Sequence, residues 1–118
     1  MKLGLDISTS AIGYCVLEKN DIKDIGALEI SKIKSVFKKA EEFRETIRDI
    51  KSRFSIEEIF IEENLQAFRP GLSSAKTIVT LARFNGMCSF AVRRIFSKNP
   101  ILIAANKEKK LLKNILSK

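Results

Sequence analysis

The sequence predicts an α/β domain built on a mixed five-stranded sheet, with three antiparallel strands followed by parallel strands and with flanking helices. Three observations support this prediction. The first thirty residues contain three apolar stretches separated by short polar turns. Two long segments with apolar residues at helical spacing come next, and each is followed by a short β-prone run. A strand that follows a helical crossover is expected to lie parallel to an earlier strand.

The N-terminal third predicts a three-stranded meander. The first strand covers Met1–Leu5 and Ile7, and the second covers Ile12–Leu17 after a polar turn. A second turn at Asn20 and Asp21 leads into a third strand over Ile22–Ile30, where apolar and polar residues alternate.

The next segment predicts an amphipathic helix over Ser35–Phe54. Its apolar residues recur at spacings of three and four, which places them on one face. The other residues carry charges of both signs, as expected for a face exposed to solvent. The predicted core face holds Phe37, Ala40, Phe43, Ile47, Ile50 and Phe54, and the predicted solvent face holds Lys38, Lys39, Glu41, Glu42, Arg44, Glu45, Arg48, Asp49 and Lys51.

The β-prone run Ile59–Ile61 predicts a fourth strand that ends at two glutamates. A second helix is predicted over residues 72–97, capped by Ser73 or Ser74. Gly86 in its middle costs about 1 kcal/mol relative to Ala and predicts close packing against a strand or another chain. The residues of this helix predicted to face the core are Ile78, Leu81, Ala82, Asn85, Cys88, Ala91, Val92 and Ile95. A last strand over Asn99–Ala105 precedes a basic, partly apolar tail with helical potential.

Composition limits the function classes. The length of 118 residues fits one domain over residues 1–118. A net charge of +8 favours a polyanionic partner, nucleic acid before a membrane surface, although a merely solvated basic surface is the alternative. The chain has no run near the roughly 18 apolar residues of a membrane span and no signal peptide. We therefore expect an intracellular protein, cytoplasmic or virus- or phage-encoded, with Cys15 and Cys88 as reduced core residues.

Two acids fall on strands that this topology places side by side. Asp6 lies within the first strand and Glu62 ends the fourth. Burying one ionised carboxylate without a partner costs several kcal/mol, so a buried pair must neutralise, find cations or bind a metal ion. Mg²⁺ prefers such carboxylate oxygens. The alternatives are that Asp6 accepts hydrogen bonds from the turn Ser8–Ser10 and that Glu62 is a surface acid at a strand end.

Two motifs resemble those of a known superfamily. The segment LGLDISTSAIGYCVL resembles the first motif of the RuvC branch of the RNase H-like superfamily, where an apolar strand delivers an Asp and a Gly-aromatic pair opens the next strand. The run IFIEENL resembles its second motif, which ends in a metal-binding Glu, and the same pair of motifs occurs in the RuvC-type domain of CRISPR RNA-guided nucleases. The second predicted helix is similar to the helix that follows this Glu in Holliday-junction resolvases.

The resemblance implies an RNase H-like fold and a structure-selective DNA endonuclease of the Holliday-junction resolvase type. It implies Mg²⁺-dependent phosphodiester hydrolysis, with Mn²⁺ as a possible substitute, by a homodimer paired through residues 72–97 and acting on branched or double-stranded DNA. Asp6 and Glu62 would be catalytic metal ligands, with Glu63 as a weaker candidate. Alternation along the strand does not separate the two glutamates, and we prefer Glu62 because it directly follows the apolar run.

The sequence departs from the RuvC pattern near its C-terminus. RuvC-like nucleases complete the site with one or two further acids on a late helix, whereas this chain has no Asp after Asp49 and only Glu108 after Glu63. Three explanations are open: the acid-bearing helix of a longer protein is missing, Glu63 or Glu108 substitutes, or the protein binds nucleic acid without cutting it. We expect the first.

Basic and aromatic residues after Glu62 predict nucleic-acid contacts, since phosphate contacts supply most of the affinity and Phe68 could act as a wedge or stacking group. The alternatives are a solvated helix face and a loop anchor. A third function class, a fragment of an actin-like kinase or ATPase, follows from the likeness of GLDISTS to a phosphate-binding hairpin, but the second lobe is absent. The candidate nucleic-acid-binding residues are Phe68, Arg69, Lys76, Arg83, Lys107, Lys109 and Lys110.

Overall fold

Five strands and two helices make up the computed structural model, which describes residues 1–63 and 74–104. Each element lies within a few residues of its predicted position. The predicted tail helix lies outside the described residues. The strands are β1 (Lys2–Ile7), β2 (Ala11–Glu18), β3 (Asp21–Glu29), β4 (Glu58–Glu63) and β5 (Ile101–Ala104), and the helices are α1 (Val36–Arg53) and α2 (Ala75–Phe96).

The sheet is mixed, as the sequence predicts. Its strand order is β3-β2-β1-β4-β5. The first three strands form an antiparallel meander, whereas β4 pairs with β1 and β5 pairs with β4 in parallel. The central strand β1 therefore joins the antiparallel half to the parallel half, and it is the strand that carries Asp6.

The hydrophobic core lies on one face of this sheet. Leu5 of β1 and Ile61 of β4 point toward it and are almost fully buried. Both helices supply side chains to the same core, with Phe43 from α1 and Phe84 from α2. Among the described residues, α1 and α2 thus cover one face of the sheet and leave the opposite face open.

Helix α1 begins where the sequence predicts, but its buried stripe is rotated. Ser35 caps the helix by accepting a hydrogen bond from the Lys38 backbone N–H. The predictions that Phe37 is in the core and Lys39 in solvent are wrong, because Phe37 is 68% exposed and Lys39 is 8% exposed. At about 100° per residue, Lys39 lies about 40° from Phe43 around the helix, whereas Phe37 lies about 120° away. A spacing of three residues falls about 60° short of a full turn, so two such spacings in succession move a residue away from the core side of the helix.

Helix α2 buries a stripe with a spacing of four. Ser74 caps it by accepting a hydrogen bond from the Thr77 backbone N–H. The predicted core position Ala82 is exposed, because the buried stripe lies about one residue further around the helix. The buried residues of α2 are Phe84, Cys88, Val92 and Phe96, of which the two phenylalanines were missing from the predicted set.

Gly86 does not pack against a strand. It is exposed, and a Cβ placed on it would meet no atom within 4 Å among the described residues. The predicted close approach to a strand is therefore wrong, and the alternative of a second chain stays a prediction. Neither α1 nor α2 is long and apolar enough to cross a membrane.

Candidate metal centre

The two candidate acids are direct neighbours in the sheet. In the parallel pairing of β1 with β4, Asp6 lies opposite Glu62. Residues in register on adjacent strands point to the same face, so their side chains stand side by side. Glu63 pairs through its backbone with Ala104, and the prediction for its side chain falls outside what the structure describes. The register thus identifies Glu62 as the neighbour of Asp6, a choice that alternation in the sequence alone did not make.

Asp6 is exposed, which contradicts the expectation of a buried carboxylate. Its neighbours Leu5 and Ile7 fill the core, so alternation turns Asp6 toward the face that the helices leave open. Within residues 1–63 and 74–104, its carboxylate has no hydrogen bond or ion pair. Glu62 is half-buried on the same face. The pair is therefore reachable by a ligand, and the cost of burying charge does not explain it.

A shallow hollow of about 240 Å³ surrounds the two acids. Gly13, which pairs with Asp6, leaves room beside it, since a Cβ there would lie 3.9 Å from the Asp6 Cβ. Gly26 has no such freedom, because a Cβ there would lie 2.5 Å from the Tyr14 hydroxyl oxygen. The residues that line the hollow are Gly4, Asp6, Gly13, Tyr14, Cys15, Ile25, Gly26 and Glu62.

The turn after Asp6 is closed by its own hydroxyls. The Ser8 hydroxyl donates to the Ala11 carbonyl at 2.7 Å and accepts from the Ala11 backbone N–H at 3.1 Å. It also lies 3.2 Å from the Ser10 hydroxyl. These groups bond one another and not Asp6, so the interpretation of Asp6 as a turn acceptor is wrong.

Sequence reasoning missed one residue that contacts this turn. The Lys39 ammonium of α1 donates to the Thr9 carbonyl. A charged residue in a mixed-charge helical segment carries no signal of burial, so only the packing of α1 against the β1–β2 turn reveals this contact.

The chemistry of the donor set suits a hard divalent cation. Two adjacent carboxylates match Mg²⁺, which is commonly bound through one or two carboxylates and keeps several waters. The part of the chain that the structure describes holds no group of three or more metal-ligating side chains. Asp6 and Glu62 therefore fit an open, water-rich metal site and not a closed protein cage.

Only part of the predicted nucleic-acid surface can be placed. Lys76 and Arg83 are exposed on α2, seven residues apart and hence on one side of the helix. Val79 lies between them and is 52% exposed. The other candidates, namely Phe68, Arg69, Lys107, Lys109 and Lys110, lie outside the described residues, as does Glu108.

Comparison with known proteins finds a curated relative and several solved structures of similar fold, including two of Thermus thermophilus RuvC. The chain is 32% identical over 98 residues to the crossover junction endodeoxyribonuclease RuvC of Aliarcobacter butzleri, a match over 80% of this chain and 60% of that relative's length. Thermus thermophilus RuvC in complex with a Holliday junction substrate superimposes with a TM-score of 0.72 at 12% identity, over 98% of this chain and 78% of that one. A second Thermus thermophilus RuvC structure superimposes with a TM-score of 0.63 at 13% identity, over 98% of this chain and 80% of that one. No protein-family model matches the chain.

The mixed sheet, with an Asp on its central strand and a Glu in register on the next, belongs to an RNase H-like fold, as the two superpositions show. The sequence match is also to a RuvC, and the two superpositions show the same fold. The chain is similar in sequence to RuvC, and it spans 60% of the length of the curated RuvC that it matches.

Proposed function

We propose that this chain carries the metal-binding core of a structure-selective DNA endonuclease of the Holliday-junction resolvase type. The observation that carries the proposal is the register pairing of Asp6 with Glu62 on the open face of the sheet. The substrate class comes from the relatives, one named a crossover junction endodeoxyribonuclease and one solved with a Holliday junction.

Asp6 and Glu62 would hold Mg²⁺, or Mn²⁺ in its place. Such an ion, when bound, activates water and stabilises charge on a phosphodiester. The protein's own contribution is position. A strand in the middle of a sheet holds Asp6 rigidly, and the hollow around it leaves room for a phosphate of the substrate.

Affinity for DNA would come from the basic surface. With 22 Lys and Arg against 14 Asp and Glu, the chain attracts a polyanion. Lys76 and Arg83 offer two exposed cations on one side of α2 for phosphate contacts. Such contacts position the DNA without reading its sequence, as a structure-selective enzyme requires.

The same helix supports the proposal of a homodimer. Val79 and Phe90 are 52% and 65% exposed, and Gly86 lies between them without any covering atom among the described residues. The spacing of seven and four residues places all three on one side of α2, which is also the side that carries Lys76 and Arg83, so helix pairing and phosphate contacts through these two cations compete for the same face. A helix face with exposed apolar residues around a glycine lets two helices approach closely, and two active sites are needed to cut two strands of a junction symmetrically.

Replacing Gly86 with Arg tests the dimer. No described residue opposes the new side chain, so the fold is expected to persist while the paired form is lost. Light scattering after size exclusion is expected to give a dimer mass for the wild type and a monomer mass for Gly86→Arg. A monomeric wild type at high protein concentration would contradict the pairing.

Cleavage of a four-way junction tests the proposed activity. With Mg²⁺ or Mn²⁺, Asp6→Asn and Glu62→Gln are expected to lower the nicking rate by at least about 100-fold. The matched control is Glu58→Gln, an exposed acid on the same strand and the same face, four residues before Glu62. Nicking that survives in Asp6→Asn, or that falls equally in Glu58→Gln, would refute the assignment.

Binding without cleavage is the second candidate function. It is favoured by the finding that no third ligating side chain joins the two acids within the described residues. It predicts salt-dependent binding to a four-way junction that needs neither a divalent cation nor Asp6, and no nicking by the wild type.

A further inference from the structure

Lys39 is the one buried charged residue among those the structure describes, and it contacts the β1–β2 turn that follows Asp6. An ammonium group taken out of water is costly unless it is paired. Lys39 has no ion pair within the described residues, and its ammonium donates to the Thr9 carbonyl. A leucine or methionine would fill the same place in α1 at lower cost. The contact to Thr9 therefore calls for an explanation beyond packing.

The turn that Lys39 contacts is anchored on three sides. Ser8 and Ala11 bond each other across its base. The Ser10 carbonyl accepts from the Ile30 backbone N–H at 3.0 Å, which ties the turn to the chain that leaves β3. The Thr9 carbonyl at its tip is held by Lys39, which ties the turn to α1.

This turn begins two residues after Asp6, and the strand that follows it pairs Gly13 with Asp6. No side-chain hydrogen bond to a described residue fixes the Asp6 carboxylate. Its position therefore depends on the backbone of β1 and on the turn that ends this strand.

We propose that Lys39 is a positioning residue for the candidate metal centre, holding the β1–β2 turn and thereby Asp6 in place. The part of this inference that concerns cation binding rests on the proposed function. The hold on the turn is a property of the fold and can be measured without any cation.

The experiment compares Lys39→Met with Lys39→Arg and with Lys38→Met. Lys38 is the matched control, because it loses the same charge from the same helical turn but is exposed. Amide hydrogen exchange of the folded protein reports on the turn, and Mn²⁺ titration reports on the site. In Lys39→Met the amides of Ala11 and Ile30 are expected to exchange at least 10-fold faster, while that of Ile61 is unchanged.

The same variant is expected to bind Mn²⁺ about 10-fold more weakly, the effect typical of losing a group that orients a metal ligand. Lys39→Arg keeps a donor and is expected to restore most of the affinity, and Lys38→Met is expected to match the wild type. Unchanged exchange at Ala11 and Ile30, or equal acceleration at Ile61, would overturn the proposal. Faster exchange in the turn with unchanged Mn²⁺ affinity would overturn it as well.

The two proposals fail in different ways. If the wild type binds no Mn²⁺ that depends on Asp6, the proposed function is refuted, and the exchange data alone then decide whether Lys39 holds the turn. If Mn²⁺ binds the wild type through Asp6 but Lys39→Met is indistinguishable from Lys38→Met, the positioning role is refuted and the proposed function stands.

Discussion

The two faces of the central strands differ in what they do. On the core face, Leu5 and Ile61 are at most 2% exposed. On the open face, Asp6 is exposed and Glu62 is half-buried. Because side chains alternate along a strand, the residues that stabilise the fold and the residues that would bind a cation lie on the same strands but point to opposite faces of the sheet. The packing of one face thus makes the other face rigid.

The two free cysteines repeat this contrast. Cys88 of α2 is fully buried in the core, and burial raises the pKa of its thiol to about 12. Cys15 of β2 is half-buried beside the hollow. The pKa of its thiol is also raised, first by burial and then by the negative charge of Asp24.

The strongest test of the contrast exchanges one residue on each face. Leu5→Ala removes fully packed apolar volume and is expected to lower the free energy of unfolding by about 3 kcal/mol. Asp6→Asn removes an exposed carboxylate that stands beside another one and is expected to change it by less than about 1 kcal/mol. Urea denaturation of both variants measures the difference. Equal losses would mean that the open face also carries stability.

High pH is expected to weaken the core face through Cys88. Its pKa is raised from 9.0 to about 12 in the folded chain, so from pH 9 to pH 12 the unfolded chain loses the proton while the folded chain keeps it. Stability is therefore complete below pH 9 and falls as the pH rises, by about 2 kcal/mol at pH 10.5. Denaturation against pH measures the fall. Cys88→Ala is expected to flatten this slope, and an unchanged slope would refute the linkage.

Divalent cations are expected to act on the open face alone. At a Mg²⁺ concentration ten times its dissociation constant, the wild type is expected to gain about 1.4 kcal/mol of unfolding free energy. Asp6→Asn is expected to gain none, and Glu58→Gln is expected to respond like the wild type. Thermal melts with and without Mg²⁺ measure the gain. A gain that persists in Asp6→Asn would place the ion elsewhere.

The smallest effects concern the glycines around the hollow. Gly13→Ala is expected to raise the free energy of unfolding by about 0.5 kcal/mol, because a strand glycine is costly and the new methyl group makes an ordinary contact with Asp6. Gly26→Ala is expected to lower it by about 1 kcal/mol, because the Tyr14 ring must move away. The denaturation midpoints of the two variants measure these changes. Shifts of both midpoints in the same direction would contradict the geometry.

Much of the fold was predictable from local patterns. Turn residues, alternation and helical spacing located all seven described elements, since each pattern depends on residues near one another in the chain. The mixed sheet followed from the order of those elements. The pair Asp6 and Glu62 also followed, because acids at apolar strands are conspicuous.

The prediction failed where a residue's environment depends on another element. Phe37 was expected inside and lies outside, whereas Lys39 was expected outside and lies inside. Both errors come from the orientation of α1 against the sheet, which a spacing of three or four residues does not determine. The exposure of Asp6 has the same origin, since, among the described elements, the arrangement of α1 and α2 decides which face of the sheet is covered.

The sequence by itself determined the elements, their order and the two acids, because strand alternation and helix periodicity are properties of short segments. Only the tertiary structure decided that Glu62 stands beside Asp6, that α1 and α2 leave their face uncovered and that Lys39 holds the turn between β1 and β2. Register and helix orientation are set by packing between segments far apart in the chain. A shift of one residue in that packing would place a different glutamate beside Asp6.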